Sequence, residues 1–203
     1  MSAKTLDFWF EFASSYSYLS VMRIEPLARD AGVTINWRPF LLGPVFLSLG
    51  WNDSPFNIYP PKGRYMWRDL ARLAARYRLP LTMPSRFPRN GLLAARVAIL
   101  GATEPWIGEF SRAVMHANFA ADQDIADPAV IHAILTRLDL PADALLADAT
   151  GDANKLALRR QTEKAAELGL FGAPSFITPD GEMFWGNDRL EDALAWVKDG
   201  PTI

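Results

Sequence analysis

The sequence contains no cysteine, which excludes disulfide bonds, thiolate metal sites and a cysteine nucleophile. It contains only two histidines, His116 and His132, and both fall within helical patterns typical of structural histidines. A histidine metal site and a Ser-His-Asp triad are therefore disfavoured, and no Gly-x-Ser-x-Gly motif supports a triad. We predict no bound metal, and any sulfur chemistry must use the sulfur of a bound molecule.

The sequence also lacks an excess of basic residues and a long hydrophobic run. Lysine and arginine number 21 against 23 acidic residues, and the formal net charge is -2. A nucleic-acid partner is disfavoured, because phosphate contacts need clustered basic side chains. The opening MSAKTLDFWFEF has no signal-peptide pattern, and no segment approaches the roughly 18 to 20 apolar residues of a membrane span. These absences predict a cytoplasmic protein without a membrane partner.

The N-terminal segment has the pattern of a strand, a helix and a second strand. Residues 6–12 (LDFWFEF) alternate with a period of two, which indicates a strand. Residues 16–30 carry apolar side chains at helical spacings, and Pro26 predicts a kink within that helix. Residues 33–37 (VTINW) predict the second strand. Such a β-α-β unit usually has parallel strands.

The middle of the chain is almost entirely helical in pattern. Residues 40–63 are rich in proline, glycine and aromatic residues, which favours an ordered functional loop or a broken helix. Helices are predicted at residues 64–78, 91–102, 105–119, 128–138 and 152–168. Strand patterns return at residues 174–178 and 182–185, joined by an Asp-Gly turn typical of a hairpin, and a helix at 188–198 follows.

This order of elements predicts an α/β fold with the thioredoxin arrangement, split by an inserted helical segment. At 203 residues, one domain or one domain with a large insertion is expected. We assign the thioredoxin-like domain to residues 1–40 and 160–203, and an inserted all-helical domain to residues 41–159. In this arrangement the chemistry occurs where the first helix begins, facing a proline that precedes the third strand.

Ser14 and Ser15 occupy that position at the start of the first helix. A serine hydroxyl is too weak an acid to become the nucleophile without an adjacent base, and the local sequence offers none. It can, however, donate a hydrogen bond to the thiolate of a bound molecule, which the helix start also favours. The alternative is that both serines serve only as helix caps.

Motifs in order along nearly the whole chain resemble those of the 2-hydroxychromene-2-carboxylate isomerases and the related kappa-class glutathione transferases. Both belong to a glutathione-using branch of the thioredoxin-like, DsbA-related proteins. The motifs are FEFASSYSYL at residues 10–19, Gly50 to Asn52, Pro55, Pro60, Lys62-Gly63, Tyr65, Asp69, Pro80, Pro84, Arg89-Asn90, GLFGAP at 169–174 and WGNDR at 185–189. The resemblance implies a DsbA/kappa-type fold, glutathione as cofactor, a small aromatic carboxylate as substrate and a possible homodimer.

The resemblance also implies a role for Ser14, which would stabilise the glutathione thiolate as the catalytic residue. The family usually has a proline directly after this serine, and Ser15 stands there instead. Ala173 and Pro174 resemble the family's cis-proline junction, where the alanine main chain would pair with the glutathione backbone. The remaining implied glutathione contacts are Asn52, Pro60, Trp185, Gly186, Asn187 and Asp188.

The substrate side is less defined by the sequence. Asn57, Lys62 and Asn90 are candidate substrate-binding residues, with Lys62 or an arginine as the partner of a carboxylate. A flat ring would need an apolar slot, for which the candidates are Phe46, Trp51, Tyr65 and Trp67. The resemblance implies cis-trans isomerisation by reversible thiolate addition. A kappa-like transferase and a non-catalytic thioredoxin-like binding protein stay open as alternatives.

Overall fold

The computed structural model describes residues 4–200, and its centre is a mixed four-stranded sheet in the order β2-β1-β3-β4. The strands are β1 (Thr5–Phe10), β2 (Thr34–Pro39), β3 (Ser175–Ile177) and β4 (Met183–Trp185). β1 runs parallel to β2, with Phe8 opposite Trp37, and antiparallel to β3, with Phe8 opposite Phe176. β3 and β4 are antiparallel. The predicted parallel unit and the predicted hairpin are therefore both present.

Eleven helices lie within residues 4–200, and eight of them lie between β2 and β3. The helices are α1 Ser15–Val21, α2 Ile24–Ala31, α3 Leu42–Ser48, α4 Pro55–Ile58, α5 Pro60–Tyr77, α6 Leu92–Leu100, α7 Ile107–Phe119, α8 Pro128–Arg137, α9 Ala142–Thr150, α10 Asp152–Glu167 and α11 Leu190–Asp199. A 3-10 turn, Asn187–Arg189, precedes α11. Across residues 4–200, none of these helices is long and apolar enough to cross a membrane. The division into domains at residues 40 and 160 stays a prediction, and its second boundary would fall within α10.

The two faces of β1 are buried in separate cores. Leu6, Phe8 and Phe10 are fully buried on one face, where the Phe8 ring lies 5.1 Å from Phe10 and 5.3 Å from Phe176. Trp9 faces the opposite side and packs against Phe40, 5.9 Å away, in a cluster that includes residues of α3 and α10. The aromatic alternation that predicts the strand thus also places helices on both sides of it. Each large apolar side chain buried this way contributes about 2 to 3 kcal/mol.

The prediction of one kinked helix over residues 16–30 was wrong, because the segment forms two helices. α1 ends at Val21 and α2 begins at Ile24. Pro26 therefore lies in the first turn of α2, where a backbone N–H has no intrahelical partner and its loss costs little. The proline is compatible with a new helix start, so the chain breaks before it instead of kinking at it.

Two further segments differ from the prediction. The 40–63 segment contains the two short helices α3 and α4, which agrees with the broken helix that its sequence favours, but α5 begins at Pro60, four residues before the predicted start. α9 was not predicted at all. Its sequence, ADALLADAT, does have apolar residues at the i, i+3, i+4 and i+7 spacing of a helix, so the signal was present and was missed.

Candidate functional site

Ser14 joins the start of α1 to the loop before β3. It has extended backbone angles at the N-cap of α1, and its Oγ accepts a hydrogen bond from the Ser17 N–H at 3.2 Å. The same hydroxyl donates to the carbonyl oxygen of Ala173 at 2.9 Å. The helix cap that the local sequence predicts is therefore present. The Ser14 hydroxyl proton is directed at Ala173, the residue that the family resemblance implies as a glutathione contact.

The loop around Ala173 is held by its neighbours on both sides. The Ala173–Pro174 peptide bond is cis, as the resemblance implies. The Pro174 carbonyl accepts a hydrogen bond from the Gly186 N–H at 3.0 Å, and the Ser175 hydroxyl donates to the Gly172 carbonyl at 2.9 Å. Within residues 4–200, the Ala173 N–H has no hydrogen-bond partner. Ala173 thus presents a free donor and an acceptor beside Ser14.

Ser15 points away from this loop. It is 2% exposed, and its Oγ lies 3.2 Å from the Met66 sulfur on α5. The two adjacent hydroxyls therefore have separate environments. Only Ser14 contacts Ala173, which favours Ser14 over Ser15 as the hydroxyl that meets a bound sulfur.

Gly186 brings the start of the 3-10 turn close to the Pro174 carbonyl. Its φ of 113° and ψ of 151° lie in a region that only glycine adopts readily, and a Cβ there would be 2.5 Å from an Asp188 carboxylate oxygen. The Asp188 side chain is exposed and lies 3.6 Å from the Arg189 guanidinium. A glycine at this position therefore leaves room for main-chain contact with a ligand.

Asn187 has a buried side chain that is already bonded within the protein. Its Oδ1 accepts from the Ser20 hydroxyl and from Arg23, each at 3.2 Å, and its Nδ2 lies 3.4 Å from the Tyr77 hydroxyl. These bonds tie the 3-10 turn to α1 and α5. The Asn187 side chain therefore orients the neighbouring Asp188 and Gly186, and a ligand would meet Asn187 through its main chain.

An exposed aromatic pair flanks the Ala173 loop. The rings of Phe171 and Trp185 lie 4.8 Å apart, and the two residues are 43% and 52% exposed. Gly172 permits this packing, because a Cβ there would be 2.4 Å from the Trp185 Nε1. Such exposed aromatic surface beside the Ala173 loop could form an apolar wall of a ligand site.

Known proteins share this architecture and much of its sequence. The family model for the DSBA-like thioredoxin domain matches residues 5–195. A 2-hydroxychromene-2-carboxylate isomerase of Sphingobium xenophagum is 32% identical over 197 residues, covering 97% of this chain and 99% of that protein. The chain belongs to this isomerase family. The family assignment made from the motifs and the DsbA-type thioredoxin fold are both confirmed.

Other relatives of this isomerase-family chain support the same family assignment. The solved structure of a 2-hydroxychromene-2-carboxylate isomerase has a TM-score of 0.80 and 29% identity, covering 92% of this chain and 90% of that one. The isomerase of Pseudomonas putida is 30% identical, covering 91% of this chain and 90% of that protein. Human glutathione S-transferase kappa 1 is 25% identical, covering 93% of this chain and 88% of that protein.

The predicted contacts on the other side of the site are exposed and bonded only to near neighbours. The Asn57 amide donates to the Asp53 carboxylate at 3.2 Å, and the Lys62 ammonium lies 5.8 Å from the Tyr59 ring centroid. Asn90 accepts from the Leu92 N–H at 2.9 Å at the start of α6. Asn52 and Pro60 are also exposed. Within residues 4–200, no hydrogen bond connects these five residues to Ser14 or Ala173, so their ligand roles stay predictions.

The four aromatic residues predicted to form one slot pack in separate places. Phe46 lies 5.6 Å from Trp51, whereas Trp67 packs against Phe87 at 5.0 Å. Tyr65 is exposed, with the Arg72 guanidinium 5.6 Å from its ring. Phe46 and Trp51 therefore form a pair without Tyr65 or Trp67, and a slot for a flat ring stays a prediction.

Sequence reasoning missed the role of Tyr16, which lies two residues after Ser14. Its hydroxyl donates to the Asp69 carboxylate at 3.0 Å, linking α1 to α5. Burial raises the pKa of this phenol, and the nearby charges of Asp69 and Asp188 raise it further. Tyr16 therefore stays protonated at neutral pH.

A buried network supports the loop that leads to Ser14. Arg89 is 4% exposed and donates to the main-chain and side-chain oxygens of Asn118 at 3.1 and 3.2 Å. It also pairs with Asp122, whose pKa is lowered chiefly by the Ser85 N–H and by Arg89. The Asn118 amide donates to the Phe12 carbonyl at 3.0 Å. The sequence contained Arg89 among the matched motifs, but its burial and partners were not predictable from it.

Glu11 is the second residue near Ser14 that sequence reasoning missed. Its carbonyl accepts the Ser14 N–H at 3.0 Å. Burial raises the pKa of its carboxyl to about 8, and within residues 4–200 the carboxyl has no hydrogen-bond or ion-pair partner. At neutral pH the carboxyl is mainly protonated and adds little negative charge beside Ser14.

Proposed function

We propose that the protein is a glutathione-dependent isomerase that acts on 2-hydroxychromene-2-carboxylate or a closely related aromatic pathway intermediate. The observation that carries the proposal is the contact of the Ser14 hydroxyl with Ala173 in a chain without cysteine. The isomerases among its relatives support the reaction, and the kappa glutathione transferases support the cofactor. A cytoplasmic location and a homodimer remain predictions.

The residues around Ser14 fit glutathione. The Ala173 N–H and carbonyl are spaced to pair with one peptide unit, as an added strand would. Gly186 and Gly172 let the side chains of Asp188 and Trp185 pack closely beside this loop, because a Cβ on either glycine would collide with them. Asp188 is exposed and can attract the ammonium of the γ-glutamyl end. When bound, glutathione supplies the sulfur nucleophile for reversible addition to a conjugated carbon.

Ser14 can stabilise an anionic sulfur without moving its oxygen. Its Oγ stays bonded to the Ser17 N–H, while rotation about the Cβ–Oγ bond turns the proton from the Ala173 carbonyl toward the sulfur. The Ala173 carbonyl then becomes free to accept an N–H of the ligand. One ligand can thereby form hydrogen bonds with both the Ser14 hydroxyl and the Ala173 carbonyl. Because neither group has to move its heavy atoms, the site is pre-organised for that ligand.

The neighbouring acids keep the electrostatics compatible with this anion. The carboxyl of Glu11 is mainly neutral below its pKa of about 8. Tyr16 holds its proton toward Asp69, because burial and the adjacent carboxylates raise its pKa. Neither group repels an anion at Ser14 near neutral pH.

Calorimetric titration with reduced glutathione tests the cofactor site. We expect wild type to bind in the micromolar to millimolar range with proton release, and Ser14→Ala to lose the proton release. Ser15→Ala is the matched control and should behave like wild type, because Ser15 faces Met66. If wild type does not bind, or if the two serine variants behave alike, the proposal fails.

A kappa-like glutathione transferase is the second candidate, because kappa enzymes from several animals match over most of the chain. The two activities share a cofactor site and differ in the fate of the product. Incubation with glutathione and a chloronitrobenzene separates them, because only a transferase accumulates a conjugate. Conversion of 2-hydroxychromene-2-carboxylate without consumption of glutathione would establish the isomerase.

A further inference from the structure

A second opening lies between α3, α6 and α10. It has a volume of about 460 Å³, within the usual range for small-molecule sites of roughly 300 to 1,000 Å³. Its apolar walls come from Leu41, Pro44, Leu92 and Leu158. The opening is therefore large enough for a small organic molecule and apolar on several sides.

Arg96 lines this opening without a counter-charge. Within residues 4–200 its guanidinium makes no hydrogen bond or ion pair, and its Nε is buried without a partner. The other cations at the opening are already paired, since Lys155 lies 3.0 Å from Asp152 and Arg159 lies 2.9 Å from Glu163. Arg96 therefore carries the positive charge that the surrounding side chains do not neutralise.

A partly desolvated cation without a partner is unfavourable, and an incoming anion relieves that cost. A guanidinium pairs best with a planar carboxylate or a phosphate through two parallel hydrogen bonds. Here only the Arg96 cation is unpaired, because Glu163 neutralises Arg159. This balance favours a monoanion with an apolar body over a dianionic phosphate.

The other large opening provides an internal comparison. It has a volume of about 500 Å³ and lies against Trp37 and α2. Its cations are the half-buried Arg112, which is paired with Glu25, and the exposed Arg29. Of the two openings, only the Arg96 opening has a guanidinium nitrogen that is buried without a partner within residues 4–200.

We propose that the opening between α3, α6 and α10 binds a small, apolar carboxylic acid of aromatic size, with the Arg96 guanidinium as its anchor. The inference does not depend on glutathione. α6, which carries Arg96, begins at Gly91, where a Cβ would lie 3.0 Å from the Phe12 Cβ and 3.5 Å from the Ala13 nitrogen. One wall of the opening therefore starts against the loop that leads to Ser14.

Titration with 1-naphthoate in the absence of glutathione tests the proposal. We expect wild type to bind with a submillimolar Kd and Arg96→Gln to bind at least about tenfold more weakly, as expected for a lost charge-assisted pair. Arg137→Gln removes an exposed arginine of α8 and should leave the Kd unchanged. Ser14→Ala should also bind like wild type, so failure of the glutathione proposal leaves this result unaffected.

A ligand comparison on wild type provides a test that needs no variant. Uncharged 1-naphthalenemethanol and inorganic phosphate should each bind at least about tenfold more weakly than 1-naphthoate, because one lacks the charge and the other the apolar body. Absence of 1-naphthoate binding at millimolar concentration would overturn the proposal. So would equal affinity for the uncharged analogue, or an unchanged Kd in a folded Arg96→Gln.

Discussion

The two sides of the candidate site differ in how firmly the protein holds them. On the Ala173 side, hydrogen bonds between distant segments fix the geometry, as between Ser14 and Ala173 or Gly186 and Pro174. On the side of residues 52–62, exposed polar side chains bond to neighbours within a few residues, as Asn57 does to Asp53. We therefore predict that the first side binds a constant ligand, whereas the second can change without disturbing the fold. Mutations should therefore have unequal effects on the two sides.

The largest loss of stability is expected for Arg89→Leu, which removes the centre of the network behind the Ser14 loop. The change leaves the buried Asn118 oxygens without their donor, and a buried polar group that loses its partner costs about 1 to 3 kcal/mol. Urea denaturation should show this loss. Arg86→Leu, at an exposed arginine, is the control. Equal stability of the two variants would show that the network does not hold the loop.

Ser14→Ala should reduce kcat by about 100-fold, the usual effect of removing one donor from a developing or bound anion. Its fold should survive, because the lost N-cap costs only about 1 kcal/mol. Ser15→Ala should change the rate by less than about threefold, since its hydroxyl contacts only Met66. Isomerase rates at saturating glutathione measure both. A large loss in Ser15→Ala instead would reassign the hydroxyl that meets the sulfur.

Glu11→Gln should change the pH dependence of stability. Burial raises the pKa of this carboxyl from an ordinary value of 4.5 to about 8. The folded protein therefore keeps a proton that the unfolded chain releases, and wild-type stability should fall as pH rises from about 4.5 to 8. The variant should match wild type near pH 4 and exceed it in stability by up to about 5 kcal/mol near pH 9. Denaturant midpoints measured across this pH range test the prediction, with Glu109→Gln at an exposed glutamate as the control. The same pH dependence in wild type and Glu11→Gln would contradict it.

Gly186→Ala should weaken glutathione binding by about tenfold, because its positive φ disfavours alanine and the new methyl group would displace the Asp188 carboxylate. Gly181→Ala is a matched control, since Gly181 also has positive φ but open space around it. Both variants should lose about 1 kcal/mol of stability from backbone strain. Only Gly186→Ala should change the Kd for glutathione. If both variants have the same Kd for glutathione, the 3-10 turn that follows Gly186 does not belong to the cofactor site.

The smallest effect is expected for Lys62→Gln on the exposed side. Lys62 has no ion pair within residues 4–200 and lies over the Tyr59 ring, so its loss should change the glutathione Kd by less than about threefold. An effect on the substrate KM alone would identify Lys62 as a substrate contact. A tenfold loss of glutathione affinity would instead contradict the contrast between the two sides.

Local patterns predicted the elements that depend on local chemistry. The alternation of Leu6, Phe8 and Phe10 gave β1, and the Asp180-Gly181 turn gave the β3–β4 hairpin. The break between α1 and α2 was missed, because Pro26 is compatible with either a kink or a first turn. Whether a helix kinks or breaks at a proline depends on tertiary packing, which the spacing of apolar residues does not reveal.

The candidate site was predictable where main-chain geometry follows a motif, as at Ala173 and Gly186. It was not predictable where a side chain's partner lies far along the chain. The sequence could not show that Ser15 faces Met66, 51 residues away, or that Asn118 reaches the Phe12 carbonyl. The raised pKa of Glu11 likewise needs burial that only the folded chain creates.

The hydrogen bond from Asn118 to the Phe12 carbonyl has a consequence for protein engineering. A minimal protein made by deleting the helices between β2 and β3 would retain the sheet, Ser14 and the Ala173 loop. It would lose the α7 amide that fixes the backbone two residues before Ser14. The helices between the strands therefore help to orient the Ser14 hydroxyl, and the shortened protein would hold that hydroxyl less firmly.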